Sequence, residues 1–424
     1  MEKRGVVEPR PKSGYYVKPP LKPLLKSPET KKPLIKPSKV TINNLAFAIL
    51  EAMGDPEILQ LGGSVMAPEL MPVKTLAQDI KSIPSDRLAS MLAAYEHPMG
   101  LEGLRRQIAQ RHMALNRSSC ADGIVITNGC FEAVAICLQA VAKQGDTIVV
   151  ESPTFPWYLQ LIEDLQMLAL EIPTDAANGI DIEALKVALK KHPVKACIFN
   201  DNFQNPLGFV LSNEKKRELV RMLNAEAIPI IEDDIYGELH FGPTRPAPLQ
   251  SFDTKGLVLY CSSFSKTLSP GLRVGWSMPG LFLERVKHLK LYTSVSSPSL
   301  NQYVLYQYLK SGNFDRHLRK LRTILQKQMA NTSMAIARNF PKETRLSSPS
   351  GALTLWVQLR HDLDSLELFR RALKEKIAVL PGVICASNDD YRHCIRISCG
   401  LPFSERIDNG LKTLSRIVRE LYTL

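Results

Sequence analysis

The chain has 424 residues, 45% of them hydrophobic and 23% charged, with a formal net charge of +12. That length exceeds one typical core, so two lobes with appendages are expected, and the composition is that of an ordinary soluble globular protein. No apolar run approaches the roughly 20 residues that span a bilayer, and Met1 to Val6 lacks the apolar stretch of a signal peptide, so no membrane partner is expected. The eight cysteines are scattered, with no C-x-x-C pair and no His/Cys cluster at zinc spacing. This points to no metal site and to a reducing cytoplasm.

The charge is uneven. Residues 1–39 hold eleven Lys/Arg against Glu2, Glu8 and Glu29, a net of +8, and the remaining 385 residues carry only +4. The basic character therefore belongs to the leader and its partners. Arg4 to Val17 reads as a small β-hairpin: a short apolar pair, a basic turn with Gly14, then Tyr15-Tyr16-Val17. A lone hairpin is not stable, so it should end something larger. Residues 18–40 follow, with Pro19, Pro20, Pro23, Pro28, Pro33 and Pro37 among lysines. Proline fixes φ and removes a donor, so this stretch reads as a semi-extended basic linker.

Beyond residue 80, helical and strand signals alternate. Residues 103–109 have helical period, and Ile124-Val125-Ile126, Thr147 to Val150, Ala196 to Phe199, Ile228 to Ile231 and Leu257 to Tyr260 are short β-branched runs. Strands buried on both faces with helical crossovers give a doubly wound α/β sheet, with functional groups at the carboxyl ends of its strands. From about residue 312 a helix comes first, then shorter strands such as Leu353 to Val357, which suggests a separate α+β lobe. The expected division is 41–85 with the small lobe, 86–310 for the large one, and 311–424 for the rest of the small one.

The strand ends carry the chemistry. After the first run comes Thr127-Asn128-Gly129-Cys130-Phe131, a glycine turn opening a helix, whose free N–H groups and dipole suit a phosphate. After the second comes Phe155, a face for stacking on a flat heterocycle. The third leads to Asn205, a donor for a phenolate oxygen. The fourth leads to Asp233 and Tyr236: a carboxylate for a protonated pyridine nitrogen and a hydroxyl for the ring oxygen. The fifth leads to Ser262-Ser263-Phe264-Ser265-Lys266, with Pro270-Gly271 and Arg273 behind it. A lysine that attacks an aldehyde must be desolvated and near positive charge, and hydroxyls with an arginine suit a phosphate. A lysine beside a phosphate cradle is the demand of pyridoxal phosphate.

The order N-P-x-G, D-x-x-Y, S-x-S-K-x-x-x-P-G-x-R-x-G resembles the fold-type I PLP enzymes of the aspartate aminotransferase superfamily, over roughly residues 45–424. The resemblance implies a mainly parallel seven-stranded sheet and a smaller α+β domain. It also implies a Schiff base from pyridoxal 5'-phosphate to Lys266, which then moves the α-proton. Asp233 would keep the pyridine nitrogen protonated, and Asn205 and Tyr236 would tune the ring oxygen. Gly129, Cys130, Ser263, Ser265 and Arg273 would hold the phosphate, and Phe155 would cover the ring. Arg396 would clamp the substrate carboxylate, with Arg392 as a nearby decoy and Gly62 and Gly63 on a substrate-side loop. Tyr95 would reach the neighbouring subunit's phosphate, which makes a homodimer the expected assembly. Cys130 and Phe131 depart from the pattern, since many members have Ser or Thr, then a polar residue, at these positions.

The leader narrows this further. Residues 10–17 resemble the wing hairpin that closes a GntR-type winged-helix domain, which in MocR-type regulators is joined by a basic linker to an aminotransferase-like domain. On that resemblance the chain starts at the wing, DNA would be read only through a winged helix that is missing or truncated, and amino acids and keto acids are the small-molecule partners. A working aminotransferase, an effector-sensing regulatory domain with little turnover, and a PLP-dependent lyase or decarboxylase all remain open at this stage.

Overall fold

The computed structural model describes residues 7–10, 14–17, 25–40, 51, 55, 57–113 and 120–423. Of the expected wing and linker, residues 1–6, 11–13 and 18–24 lie outside the described residues, as does most of 41–56. Strand β1 (Val7–Arg10) pairs antiparallel with β2 (Gly14–Val17), with Val7 opposite Val17 and Arg10 opposite Gly14.

Residues 25–40 run without regular structure, as their prolines require. They are nevertheless docked. Leu346 N donates to Lys26 O at 2.9 Å and Glu29 N to Gln358 Oε1 at 2.6 Å. Further along, Ser38 exchanges backbone bonds with Ala169 at 2.9 and 3.0 Å. Leu25 and Ile35 pack against the core on one face of the large sheet, and Val40 is buried in the core on the other. Proline content predicts the stiffness of this segment but not its landing place, which long-range contacts decide.

Next come β3 (Leu59–Gln60), α1 (Val73–Lys81) and α2 (Ser85–Ala93). The large sheet and its helices follow as α3 (Glu102–Met113), β4 (Val125–Thr127), α4 (Cys130–Val141), β5 (Thr147–Ser152), α5 (Pro156–Asp164), β6 (Leu168–Asp175), β7 (Gly179–Ile180), α6 (Ile182–Lys191), β8 (Val194–Phe199), α7 (Asn213–Ala225), β9 (Ile230–Asp233), β10 (Val258–Ser263), β11 (Gly275–Met278), α8 (Leu283–Ser294) and α9 (Ser299–Lys310). Strand order is β4-β11-β10-β9-β8-β5-β6-β7. The centre, from β10 to β6, is parallel, and β11 runs antiparallel to both neighbours.

The sheet therefore has eight strands rather than the expected seven. The extra one, β7, is two residues that fold back on the end of β6, with Thr174 opposite Ile180. An element that short carries no alternation to be read in sequence.

Along β5 the side chains alternate between faces. Ile148 and Val150 join a core with α4 and α5, whereas Val149 joins one with α6 and α7, and all three are fully buried. Burial on both faces is what a continuous β-branched run requires. Side-chain caps fix two of the covering helices: Asp181 accepts from Ala184 N at 2.9 Å and Ser212 from Lys215 N at 3.3 Å.

The second lobe begins with the long helix α10 (Asn313–Asn339), then β12 (Arg345–Leu346), β13 (Thr354–Gln358), α11 (Ser365–Lys374), β14 (Ile377–Ala378), β15 (Leu380–Pro381), β16 (Cys394–Ser398) and α12 (Glu405–Tyr422). Its antiparallel sheet is ordered β12-β13-β16-β15. Leu368 of α11 and Leu411 and Leu414 of α12 are fully buried beneath it. Strand β3 pairs parallel with β14, which ties residues 59–60 to this lobe, whereas Leu76 of α1 joins the core of α3 and α9 in the large one. In β16, Arg396 stands between Trp356 of β13 and Leu380 of β15.

Candidate active site

The parallel strands end on one edge of the sheet, facing β16, and a cavity of about 260 Å³ opens there. Nine of the residues expected from sequence line it: Cys130, Phe155, Asn205, Asp233, Tyr236, Ser265, Lys266, Arg273 and Arg396. They come from separate segments of the chain, so only the topology brings them together.

Lys266 lies three residues beyond β10, and its Nζ donates to Ser64 O at 2.5 Å. Burial, then the positive charges of Arg396 and Arg273, lower its pKa to about 8, against an opposing pull from Asp233. About a tenth of this amine is therefore neutral and nucleophilic at pH 7, far more than for an ordinary lysine.

Asp233 closes β9 and is buried. Tyr158 OH donates to its Oδ2 at 2.5 Å, Cys130 Sγ to its Oδ1 at 3.2 Å and Ile235 N to Oδ1 at 3.0 Å. Burial raises the Asp233 pKa despite these donors, so a cation against it would be stabilised. Burial, then Asp233, pushes the Cys130 thiol and the Tyr158 phenol well above their usual ranges, which keeps both as donors. The Cys130 side chain, expected to help hold the phosphate, thus directs its hydrogen bond to Asp233. Behind them, Asn200 Nδ2 donates to Asp233 O at 2.6 Å, and its Oδ1 accepts from Asn205 N at 2.8 Å.

Gly129 caps α4 with φ +95°, and a Cβ on it would lie 2.5 Å from Arg273 Nη2. Arg273 itself has φ +51° and donates to Asn128 O at 2.7 Å. A side chain on Gly275 would land 2.8 Å from Cys130 N. These contacts leave the first N–H groups of α4 beside a guanidinium and Ser265, a cradle that fits a phosphate. Ser263 is placed differently. It does not line this cavity but a smaller neighbouring one, and its hydroxyl accepts from Ser265 N at 3.3 Å.

Arg396 is 3% exposed. Nη1 donates to Asn205 Oδ1 at 2.7 Å and Nη2 to Gly62 O at 2.6 Å. Its Nε is buried without a hydrogen-bond partner among the described residues. An unsatisfied guanidinium donor at a cavity wall fits a carboxylate. Arg392, by contrast, is half-exposed and pairs with Asp364 at 3.2 Å. Gly62 acts through its carbonyl, and the cavity wall on that loop is formed by Ser64 and Val65 rather than Gly63. Tyr95 is 87% exposed and does not line the cavity. Sequence reading missed Tyr158, Asn200 and the Ser64 carbonyl. For Tyr158 a signal existed: Phe155 and Tyr158, three apart at the start of α5, share one helix face.

A family model for aminotransferase class I and II matches residues 65–414. Over 421 residues the chain is 36% identical to the uncharacterized HTH-type transcriptional regulator YdcR of Escherichia coli (strain K12), covering 99% of this chain and 89% of that one. It is 28% identical over 380 residues to 2-aminoadipate transaminase of Thermus thermophilus, covering 89% and 94%. The crystal structure of LysN, an α-aminoadipate aminotransferase from Thermus thermophilus complexed with N-(5'-phosphopyridoxyl)-L-leucine, matches with a TM-score of 0.83 at 27% identity, over 91% of this chain and 96% of that one. These likenesses, with a site that fits it, make pyridoxal phosphate the cofactor and the fold that of the PLP-dependent type I aminotransferases. The chain belongs to the aminotransferase class I and II family, in its MocR-type branch beside the HTH-type transcriptional regulators.

Proposed function

We propose that this chain carries out amino-group transfer between an amino acid and a keto acid, with Lys266 as the residue that holds the cofactor and moves the substrate's α-proton. The observation that carries the reading is the Lys266 amine, its pKa lowered to about 8, in one cavity with Asp233 and Arg396. Pyridoxal phosphate, when bound, supplies an electron sink for the bonds around the amino acid's α-carbon. Arg273, Ser265 and the N-terminus of α4 hold the phosphate group. Asp233 holds a proton on the ring nitrogen, supported by Tyr158 and Cys130. Asn205 and Tyr236 would hydrogen-bond the ring oxygen, Phe155 would cover the ring, and Arg396 would orient the substrate carboxylate. Lys266 Nζ then serves as base and acid at the α-carbon. The test is to load purified protein with the cofactor, add single amino acids, and assay for the matching keto acid; no keto acid from any of them would count against turnover.

A second reading, an amino-acid-sensing regulatory domain with little turnover, is favoured by the HTH-type relatives and by the docked segment at residues 25–40. That segment leads from the β1–β2 hairpin to the loop beside the cavity. Ser38 Oγ lies 3.3 Å from Ser387 Oγ, and Ser387 donates to buried Glu171 from both its N–H and its hydroxyl. Two residues back, Cys385 O accepts from Thr154 N at 2.8 Å, and Ile384 lines the cavity. In this reading the hairpin belongs to a nucleic-acid-binding unit. We further propose a homodimer, since Leu92 and Tyr95, at the end of α2, stand 73% and 87% exposed. Seven buried, unpaired thiols suit a reducing compartment.

A further inference from the structure

The proposed reaction assigns every charged group that lines the cavity. The cations are Lys266, Arg273 and Arg396, and the carboxylate is Asp233. Lys266 and Arg273 are committed to the cofactor, and Arg396 is committed to one carboxylate. What remains around the clamp is apolar. Leu380 lies directly opposite Arg396 across the β15–β16 pairing, and Leu380 and Ile384 are 5% and 4% exposed. Trp157, half-buried, lines the same space from α5. The hydrogen bond from Thr154 N to Cys385 O holds the start of α5 against the turn that carries Ile384. Val65 completes the wall from the loop whose Ser64 carbonyl accepts from Lys266.

These four residues come from three segments, each fixed by a backbone bond or strand pairing, and none can compensate a charge. A side chain ending in a second carboxylate would meet no cation here, between buried Leu380 and Ile384 and half-exposed Val65, and an unpaired charge against an apolar wall is costly. An apolar or aromatic side chain would instead bury its area against them.

Resting on the amino-transfer reading, we infer that the pocket takes monocarboxylic amino acids with apolar or aromatic side chains, and that Trp157 and Ile384 determine this preference. The experiment uses the full chain loaded with pyridoxal phosphate and titrated separately with L-leucine, L-phenylalanine, L-glutamate and L-aspartate. Binding is followed by the change in the cofactor's visible absorption, and turnover by keto-acid formation. Leucine or phenylalanine should be effective at concentrations at least about tenfold lower than either dicarboxylate, the scale on which one pocket contact discriminates. Trp157→Arg should shift the ratio by tenfold or more toward glutamate, and Trp157→Phe should keep the apolar preference. The visible absorption of each variant before titration reports that it still folds around the cofactor. Equal or better use of glutamate or aspartate by the unaltered chain would overturn the specificity and leave the amino-transfer reading standing. Cofactor binding with no spectral response to any amino acid would overturn both.

Discussion

Arg396 Nη1 donates to Asn205 Oδ1 at 2.7 Å, so the arginine of the small lobe's sheet is hydrogen-bonded to a residue of the loop that follows β8 of the large sheet. One bond thus joins the proposed substrate clamp to the proposed ring-oxygen ligand. The other end of the guanidinium is held by Gly62 O, which accepts from Nη2 at 2.6 Å. Arg396→Ala should weaken the response to amino acids by roughly a hundredfold or more, as loss of a buried charge-assisted contact does, while cofactor affinity changes only a few-fold. Spectral titrations with amino acid and with cofactor measure the two separately, and equal losses in both would argue against the clamp.

Tyr158→Phe removes a donor from Asp233 and leaves Cys130 and Ile235 N in place. Without that donor the Asp233 pKa rises further, so the anionic carboxylate that a pyridinium needs is held less firmly, by a hydrogen bond worth about 1.5–3 kcal/mol at most. Cofactor affinity should fall by roughly three- to thirtyfold, with the apo fold intact by circular dichroism. An unchanged affinity would show that Tyr158 packs without supporting Asp233.

The pH dependence of cofactor capture follows from Lys266. Its folded pKa of about 8 lies below the ordinary lysine value, so the neutral amine grows from about a tenth of the population at pH 7 to about nine-tenths at pH 9. Capture of pyridoxal phosphate by the apo protein, timed by stopped flow, should accelerate through this window and then level off. Because the folded state gives up the proton first, the apo fold should also gain stability as pH rises between about 8 and about 10.4. A capture rate still climbing steeply above pH 10 would place the lysine at its ordinary value.

Ser387→Ala removes the hydroxyl's contacts with both Ser38 and Glu171 and leaves the bond from its N–H to Glu171. Residues 25–40 should then detach more often. Limited proteolysis within that segment should speed up by about fivefold, the equivalent of one hydrogen bond, while cleavage elsewhere is unchanged. Cutting at the unaltered rate would mean that the segment is held by Leu25, Ile35 and Val40 instead.

Much of the α/β frame was legible because strands buried on both faces must be apolar throughout, as Ile148, Val149 and Val150 are. Their carboxyl ends led to Asn205, Asp233, Tyr236 and Lys266. Strands β6 and β11 were not named from sequence: β6 contains Glu171, Pro173 and Thr174, and β11 is four residues beginning with a glycine. Tyr158 and Asn200 escaped because each acts through another residue, and a tyrosine on an apolar helix face looks like core. Ser64 acts through its carbonyl, which every residue possesses. Ser263 belonged to the motif yet lines a neighbouring cavity with Ser262 and Phe264, whereas Ser265 and Lys266, beyond the end of β10, line the main one.

The most direct test of the account is borohydride reduction of the cofactor-loaded protein followed by peptide mass spectrometry. The pyridoxyl group should appear on the peptide that carries Lys266, and no reduced adduct should form in Lys266→Ala. A stoichiometric adduct on any other lysine, or one that persists in that variant, would contradict it.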